Sequence, residues 1–285
     1  MEQREPQVWL ISGASRGIGK AIALCALERG DFVAAGVRKK QDVDDLVAQF
    51  GGRCLAVQLD VTRIEDCKSA YSEVLSKFGR LDNLINNAGY GLWGMMEELT
   101  MEQIRHQMEV NFFGLVSLTR EVVPAFRIQQ SGMIINISSL AGLRGMQGLS
   151  AYNASKFAVE GFTEALSQEM SYFGVRVGVL EPGPYRTDWA GNSLVKTAGV
   201  LSPEILSPYQ ELNRVASRRI SMSDGKQPGD PKQIGEVVFE ASRADWLPVH
   251  MLFGDVCIEG WEQRRSRFDE PEFMSYFPHD KNTFL

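Results

Sequence analysis

The chain has 285 residues, 44% of them hydrophobic and 23% charged, with a formal net charge of −6. That length buries a sizeable core in one large α/β domain or two small ones, and the composition is ordinary for a soluble globular protein. The acidic balance argues against nucleic acid as a default partner; with no run of ~18 apolar residues and no apolar stretch in the N-terminal MEQREPQ, the expectation is a cytoplasmic protein without a membrane partner.

Short apolar runs alternate with amphipathic stretches through the first half, the pattern of a parallel sheet covered by helices. VWLISG at 8–13 predicts the first strand, and a helix follows over 18–29, ended by Gly30. FVAAGV at 32–37 is the second strand, a helix spans about 43–50, and CLAVQLDV at 54–61 is the third strand. Residues 65–78 are helical, and LDNLINNAG at 81–89 carries strand four and its exit. A long helical region over about 101–129 precedes MIINISS at 133–139, the fifth strand. A helix over about 150–173 leads to the sixth strand, VRVGVLEPG at 175–183. From 188 to 230 the pattern loosens into mixed Gly, Ser and Pro with scattered Trp, Leu and Tyr, as in lids and binding loops. A helix resumes at 231–243, HMLFGD at 250–255 is a last strand, and a polar tail with scattered aromatics covers 256–285. No repeat, low-complexity segment or linker divides the chain, so residues 1–285 are expected to form one domain with its core over about 8–255.

SGASRGIG at 12–19 places Gly13, Gly17 and Gly19 between a strand and a helix, the context of a dinucleotide-binding turn. Gly13 permits the tight turn, and Gly17 and Gly19 let backbone approach a pyrophosphate at the positive end of the helix. Further along, Tyr152 and Lys156 stand four apart in SAYNASKF and share one helix face, with Ser139 thirteen residues before the tyrosine. A phenol to move a proton, a cation to tune it and a hydroxyl to steady a carbonyl oxygen together suit hydride-transfer chemistry. A free tyrosine has a pKa of about 10. Lowering it toward ~7 takes about 4 kcal/mol, which an ammonium at roughly 4 Å supplies at an effective dielectric near 20.

SGASRGIG, NNAG at 86–89, Asn111 in VNFFG, Ser139, Tyr152, Lys156 and Pro182–Gly183 resemble the short-chain dehydrogenase/reductase family, in order and spacing, over about 8–190. The resemblance implies an α/β Rossmann-type, doubly wound, seven-stranded parallel sheet. It implies that Asn111 bends the long helix and holds a water relaying protons to Lys156, and that Lys156 bonds the nicotinamide ribose. It implies cofactor contacts from Gly13, Ser15, Arg16, Gly17, Ile18 and Gly19, and from Arg38, Asp60 and Val61. Further contacts are implied from Asn87, Ala88 and Gly89, from Tyr152 and Lys156, and from Pro182, Gly183, Tyr185 and Thr187. Two local departures are Ser12, where threonine is commonest but a hydroxyl is kept, and Tyr185, where a small aliphatic residue is more usual. The helices at about 101–129 and 150–173 are the family's usual dimerisation surface, so a homodimer or homotetramer is expected.

Cofactor choice depends on the residues at the end of the second strand, where an acid would bind the ribose hydroxyls and repel a 2′-phosphate. This chain has Val37 there, then Arg38, with Arg16 inside the glycine turn. Two guanidinium groups suit a phosphate and point to NADP(H); two solvated surface charges are the plainer alternative. For Asp60 that alternative is a carboxylate at a helix N-terminus.

The topology places Tyr90, Leu92, Trp93, Leu140, Leu143, Met146, Gln147 and Trp189 at the carboxyl ends of the strands, where such sheets open their sites. Substrate contacts are expected from Ser139, Leu140, Met146, Tyr152, Trp93 and Trp189. The mostly apolar set suits a bulky, weakly polar ketone or aldehyde, with packing the alternative for Leu140 and Leu143. Arg186 reads better as an intramolecular salt bridge than as an anchor for an acidic substrate. Four scattered cysteines without a CxxC pair, and three histidines, argue against a metal site. The leading expectation is an NADPH-dependent carbonyl reductase of the hydroxysteroid-dehydrogenase-like branch. The same residues also suit an alcohol dehydrogenase working oxidatively, and a non-catalytic NADP-sensing protein is the reading from another class.

Overall fold

The computed structural model describes residues 5–187, 191, 193–197, 208–223 and 225–268. Its centre is a seven-stranded parallel sheet made of β1 (Val8–Ser12), β2 (Phe32–Val37), β3 (Cys54–Gln58), β4 (Asn83–Asn86), β6 (Gly132–Ile137), β7 (Val175–Pro182) and β9 (His250–Phe253). The order is β3-β2-β1-β4-β6-β7-β9. The winding reverses between β1 and β4, so the crevice of a doubly wound sheet opens at their carboxyl ends.

The strands read as unbroken apolar runs because both faces are buried. Trp9, Ile11, Val33, Ala35, Met133 and Ile135 join the core on one face, under helix α1 (Gly17–Glu28) and the helix Pro231–Arg243. Val8, Leu10, Ala34 and Ile134 alternate with them into the opposite core. That second face is covered by α3 (Ile64–Phe78), α5 (Gly114–Gln129) and α7 (Ser150–Ser171); a shorter α2 (Asp44–Phe50) packs through Leu46 on the first.

A buried polar ladder ties the second layer to the sheet. Asn86 Nδ2 donates to Thr119 Oγ1 (2.9 Å) and to Asn136 Oδ1 (2.8 Å), and Asn136 Nδ2 donates to Thr163 Oγ1 (2.9 Å). Replacing Asn86 by Ala strands the Asn136 carbonyl oxygen in the core, at a cost of roughly 2 kcal/mol. Urea unfolding of Asn86→Ala is expected to show that loss as a lower midpoint with an unchanged slope.

The long helical region over 101–129 is α4 (Met101–Met108), a π-helical turn over Glu109–Phe113, then α5. Three expectations need correction. The third strand stops at Gln58 rather than running through 61, because Asp60 turns the chain by accepting from Thr62 N (3.0 Å) and Thr62 Oγ1 (2.7 Å). The span 188–230 is not wholly irregular: β8 (Leu194–Lys196) pairs in parallel with β5 (Gly91–Trp93), and a helix covers Gln210–Ser223. The tail is helical over Asp255–Phe268, because Val256 and Cys257 find an apolar seat against Leu140, Leu143 and Leu252. Residues 269–285 lie outside the described residues. No helix among the described residues is long and apolar enough to cross a membrane.

Candidate active site

The glycine turn folds against the exits of β2 and β4. Gly13 N and Ala14 N donate to Gly36 O at 2.8 and 3.2 Å, and Asn87 Nδ2 donates to Ser12 O and Gly13 O at 3.0 Å each. The Ser12 hydroxyl accepts from Asn87 N and Ala88 N, both at 3.0 Å, so the hydroxyl at this position is structural. Gly13 and Gly17 have φ of +68° and +57°, and a Cβ on Gly19 would overlap Asn87 Nδ2 and Gly13 O. α1 starts with no side-chain cap at Arg16 and no acid in its first turn, which leaves its positive end available to an anion. Thr187 lies over this turn, 3.4 Å from where a Cβ on Gly17 would sit. The residues present therefore fit a dinucleotide, with Ser15 and Ile18 on the same turn.

At the adenosine end, Val37 is buried, whereas Arg38 and Arg16 are exposed on segments joined by the bonds to Gly36 O. One Asp60 oxygen is engaged by Thr62, and Val61 packs in the second core beside Gly114.

β6 ends at Ile137, and Ser139 Oγ accepts from Ala141 N (3.1 Å) to cap the single turn α6 (Leu140–Leu143). Ala141 packs in turn on Tyr152, which is 5% exposed among Leu149, Trp93 and Met146. Lys156 Nζ donates to Ile137 O at 2.7 Å and lies 5.9 Å from the Tyr152 ring centroid. Burial pulls the Lys156 ammonium down to about 8, opposed by the negative charge of Glu160. A Cβ on Gly89 would lie 3.2 Å from Asn111 Oδ1 and 3.8 Å from Lys156 Nζ, so the exit of β4, the π-helical turn and α7 converge here. Asn111 Oδ1 accepts from Tyr90 N (3.0 Å), and its Nδ2 donates to Tyr90 O (3.0 Å) and Ser155 Oγ (3.1 Å). The amide thus pins the β4 exit to α7, a role that residue order alone does not assign.

Of the expected substrate residues, Trp93 and Met146 meet Tyr152, and Leu92 packs nearby with Ala151 and Tyr90. The α6 turn carries Leu140 into the neighbouring cluster with Leu143 and Cys257, which Met146 joins to the Tyr152 cluster; there a Cβ on Gly260 would sit 2.6 Å from Leu140 Cδ1. Trp189 lies outside the described residues. Pro182 ends β7, Gly183 N donates to Phe253 O (2.9 Å), and the Tyr185 ring lies over Gly229 rather than in the cluster around Tyr152. Arg186 forms intramolecular bonds to Gln227 O and Pro228 O (2.9 Å each) and faces Asp230 at 3.6 Å.

Asn153 braces the candidate site in a way that the sequence did not reveal. Its Nδ2 donates to Ala141 O and Arg144 O (2.7 Å each), and its Oδ1 accepts from Met146 N (3.1 Å), which holds the Ser139–Met146 segment on α7. An amide beside the tyrosine in YNASK was the available signal. Further out, Glu98 accepts from Asn213 Nδ2 (2.8 Å) and fixes the helix Gln210–Ser223 to the loop after Trp93.

Glu160, Glu181 and His250 bring three potential metal-donor atoms within 4.8 Å of one another. His250 Nδ1 stands 2.8 Å from Glu181 Oε1, a hydrogen-bond distance. Two zinc ligands at 2.0–2.1 Å in a tetrahedron stand about 3.4 Å apart, so a shared proton explains the geometry better than a metal. The four cysteines are free and buried, and burial raises their thiols to about 11 for Cys25, Cys54 and Cys67 and about 12 for Cys257.

The chain is similar to known proteins in sequence and in fold. The family model described as short chain dehydrogenase matches residues 7–198. Oxidoreductase BOA17 of Botryotinia fuckeliana is 39% identical over 254 residues, which cover 89% of this chain and 90% of that protein. The 3-ketodihydrosphingosine reductase of Bacteroides thetaiotaomicron is 39% identical over 265 residues, 87% of this chain and 96% of that protein. The crystal structure of a short-chain dehydrogenase from Streptomyces avermitilis superposes with a TM-score of 0.83 at 33% identity, covering 95% of this chain and 98% of that one. A matching sheet, a glycine turn packed on the β4 exit, and relatives alike over nearly their whole length lead to one conclusion: the chain belongs to the short-chain dehydrogenase/reductase family of oxidoreductases.

Proposed function

We propose that the protein reduces a ketone or aldehyde of a bulky, weakly polar molecule with NADPH, with Tyr152 as the proton donor. The observation that carries this reading is the convergence of Tyr152, Lys156 and the Ser139–Ala141 turn at the carboxyl ends of β4 and β6, beside the glycine turn. A bound nicotinamide supplies the hydride to the carbonyl carbon. The glycine turn and the uncapped start of α1 hold the pyrophosphate, Arg16 and Arg38 the 2′-phosphate, and Asp60, Val61 and the Asn87–Gly89 segment the adenosine. Lys156 holds the nicotinamide ribose, while Gly183, Tyr185 and Thr187 close the other side. As negative charge develops on the carbonyl oxygen, the Ser139 O–H donates a hydrogen bond and the Tyr152 O–H transfers its proton. The Lys156 ammonium stabilises the phenolate left behind.

Trp93, Met146 and Leu149 around Tyr152 support an apolar substrate, as does a relative whose name assigns it a long-chain ketone. Exposed Phe113 and Phe157, near the start of α5 and on α7, support a homo-oligomer, and four buried free thiols support a reducing, cytoplasmic setting. The test follows NADPH absorbance against ring ketones, long-chain 3-ketones, aromatic aldehydes and small polar ketones. Turnover is expected with the bulky apolar members. A preference for the small polar ketones, or no turnover with any, overturns the substrate class.

A further inference from the structure

Two buried acids on α7 and β7 meet a partly exposed histidine at the sheet edge, a charge cluster that the reaction described above leaves unused. Glu160 sits one turn beyond Lys156 on α7, Glu181 is on β7 and His250 on β9. Glu160 is 6% and Glu181 0% exposed, and neither Glu160 oxygen makes a hydrogen bond of good geometry. A buried carboxylate is costly unless a charge faces it. Here that charge is His250, with Nδ1 at 2.8 Å from Glu181 Oε1 and 3.5 Å from Glu160 Oε2. Its Nε2 lies 3.3 Å from Glu164 Oε1, and Glu181 Oε2 accepts from Met251 N at 2.8 Å.

Glu160 and Glu181 keep the imidazole protonated up to about 10, while burial and the nearby Glu160 raise Glu181 to about 7. The other charged or titratable groups of this region are Arg144 after α6, and Cys257, Arg264 and Arg265 on the helix Asp255–Phe268. Arg264 and Arg265 border a cleft of about 240 Å³ against Glu160, Glu164 and His250. Lys156 stands four residues before Glu160 on α7, on the same helix face, and both side chains are buried. The carboxylate is the charge that counters the effect of burial on the Lys156 ammonium.

We propose that Glu160, fixed by His250 and Glu181, is a positioning residue that keeps Lys156 in its ammonium form and so sets the upper pH limit of the reaction. The proposal rests on the reading of Lys156 as the cation that supports Tyr152. Its sign is independent of which group sheds the proton. Loss of a proton from the Lys156–Tyr152 pair adds negative charge to a site that already faces a carboxylate, so removing that carboxylate makes the loss easier.

The experiment is the pH profile of kcat for ketone reduction in Glu160→Gln, Glu160→Asp and, as a control for charge removal, Glu169→Gln, which is exposed on the same helix. In Glu160→Gln the alkaline limb is expected to move down by roughly one pH unit, a loss of about tenfold on the falling limb. Below the limb kcat stays within about twofold of wild type. Glu160→Asp keeps the charge and moves the limb back toward wild type, which a purely structural role would not require; Glu169→Gln leaves the limb in place. If Glu160→Gln does not fold, Glu181→Gln carries the test, with a smaller shift in the same direction. An unshifted limb in a folded variant that binds NADPH normally overturns the proposal. Lys156→Ala separates the two readings: full activity there removes the role of Lys156 itself, whereas an inactive Lys156→Ala beside an unshifted Glu160→Gln removes only that of Glu160.

Discussion

Tyr152→Phe is expected to lower kcat for carbonyl reduction by roughly 10²–10⁴-fold, the range that a positioned general acid contributes. NADPH affinity should change by less than about threefold. The change deletes one oxygen and leaves the ring, which still packs on Ala141, Leu149, Trp93 and Met146. Lys156 keeps its bond to Ile137 O, so the ammonium stays anchored without the phenol. Ser139 keeps its cap on Ala141 N and its own O–H. The variant lacks the proton that the developing alkoxide must receive. Water in a buried pocket replaces it poorly, because Tyr152 is 5% exposed. Steady-state kinetics beside a fluorescence titration with NADPH separates the two effects. A kcat within about fivefold of wild type would assign the proton to another group, whereas equal losses in rate and affinity would mean that the hydroxyl holds the cofactor instead.

The main sheet was legible because a parallel sheet buried on both faces leaves unbroken apolar runs. Six of the seven strands fall within the runs read from the sequence, from VWLIS to HMLF, and β6 starts one residue early, at Gly132. The same signal overextended β3: Leu59 and Val61 are buried, but burial continues past the point where pairing ends. β5 was invisible for the opposite reason. It has three residues, too few for a period, and its partner β8 lies about a hundred residues further on. The helix Asp255–Phe268 escaped because charged and polar residues outnumber the few apolar ones that seat it, Val256 and Cys257 on Leu140 and Leu143.

The candidate site divides along the same line. Gly13, Gly17, Gly19, Tyr152 and Lys156 declare themselves through local spacing, since a turn and a helix face are short-range objects. Asn153, Glu98 and the Glu160–Glu181–His250 group act across 7 to 115 residues of sequence. Each alone reads as an ordinary polar residue. The signals on offer were the amide beside the tyrosine in YNASK and the acid Glu181 inside an apolar strand. Leu140 shows the limit of placing residues by topology. Position beside Ser139 brought it to the right end of the sheet, but the α6 turn decided which cluster its side chain joins.

Arg38→Asp is expected to raise the Michaelis constant for NADPH by roughly two orders of magnitude while leaving kcat at saturation nearly unchanged. The position is set by the backbone. Gly36 O holds Gly13 N and Ala14 N, so the segment leaving β2 runs beside the glycine turn, with Arg38 two residues beyond Gly36 and Arg16 two beyond Ala14. Val37 occupies the place where an acid would select a free ribose, and its side chain is buried in the core under α1. It offers neither a hydrogen bond to a 2′-hydroxyl nor repulsion to a 2′-phosphate. A guanidinium–phosphate bond contributes about 1.5–3 kcal/mol, and a carboxylate in its place adds repulsion, so the two effects have the same sign. NADH lacks the phosphate and gains a partner for its hydroxyls, so its Michaelis constant should fall or hold steady. The measurement is the ratio of kcat/KM for NADPH and NADH in wild type and variant, at low and high salt. High salt should shrink the difference, since the contact is exposed and screened. An unchanged ratio would mean that Arg38 is a solvated surface charge and that the cofactor is chosen elsewhere along the adenosine.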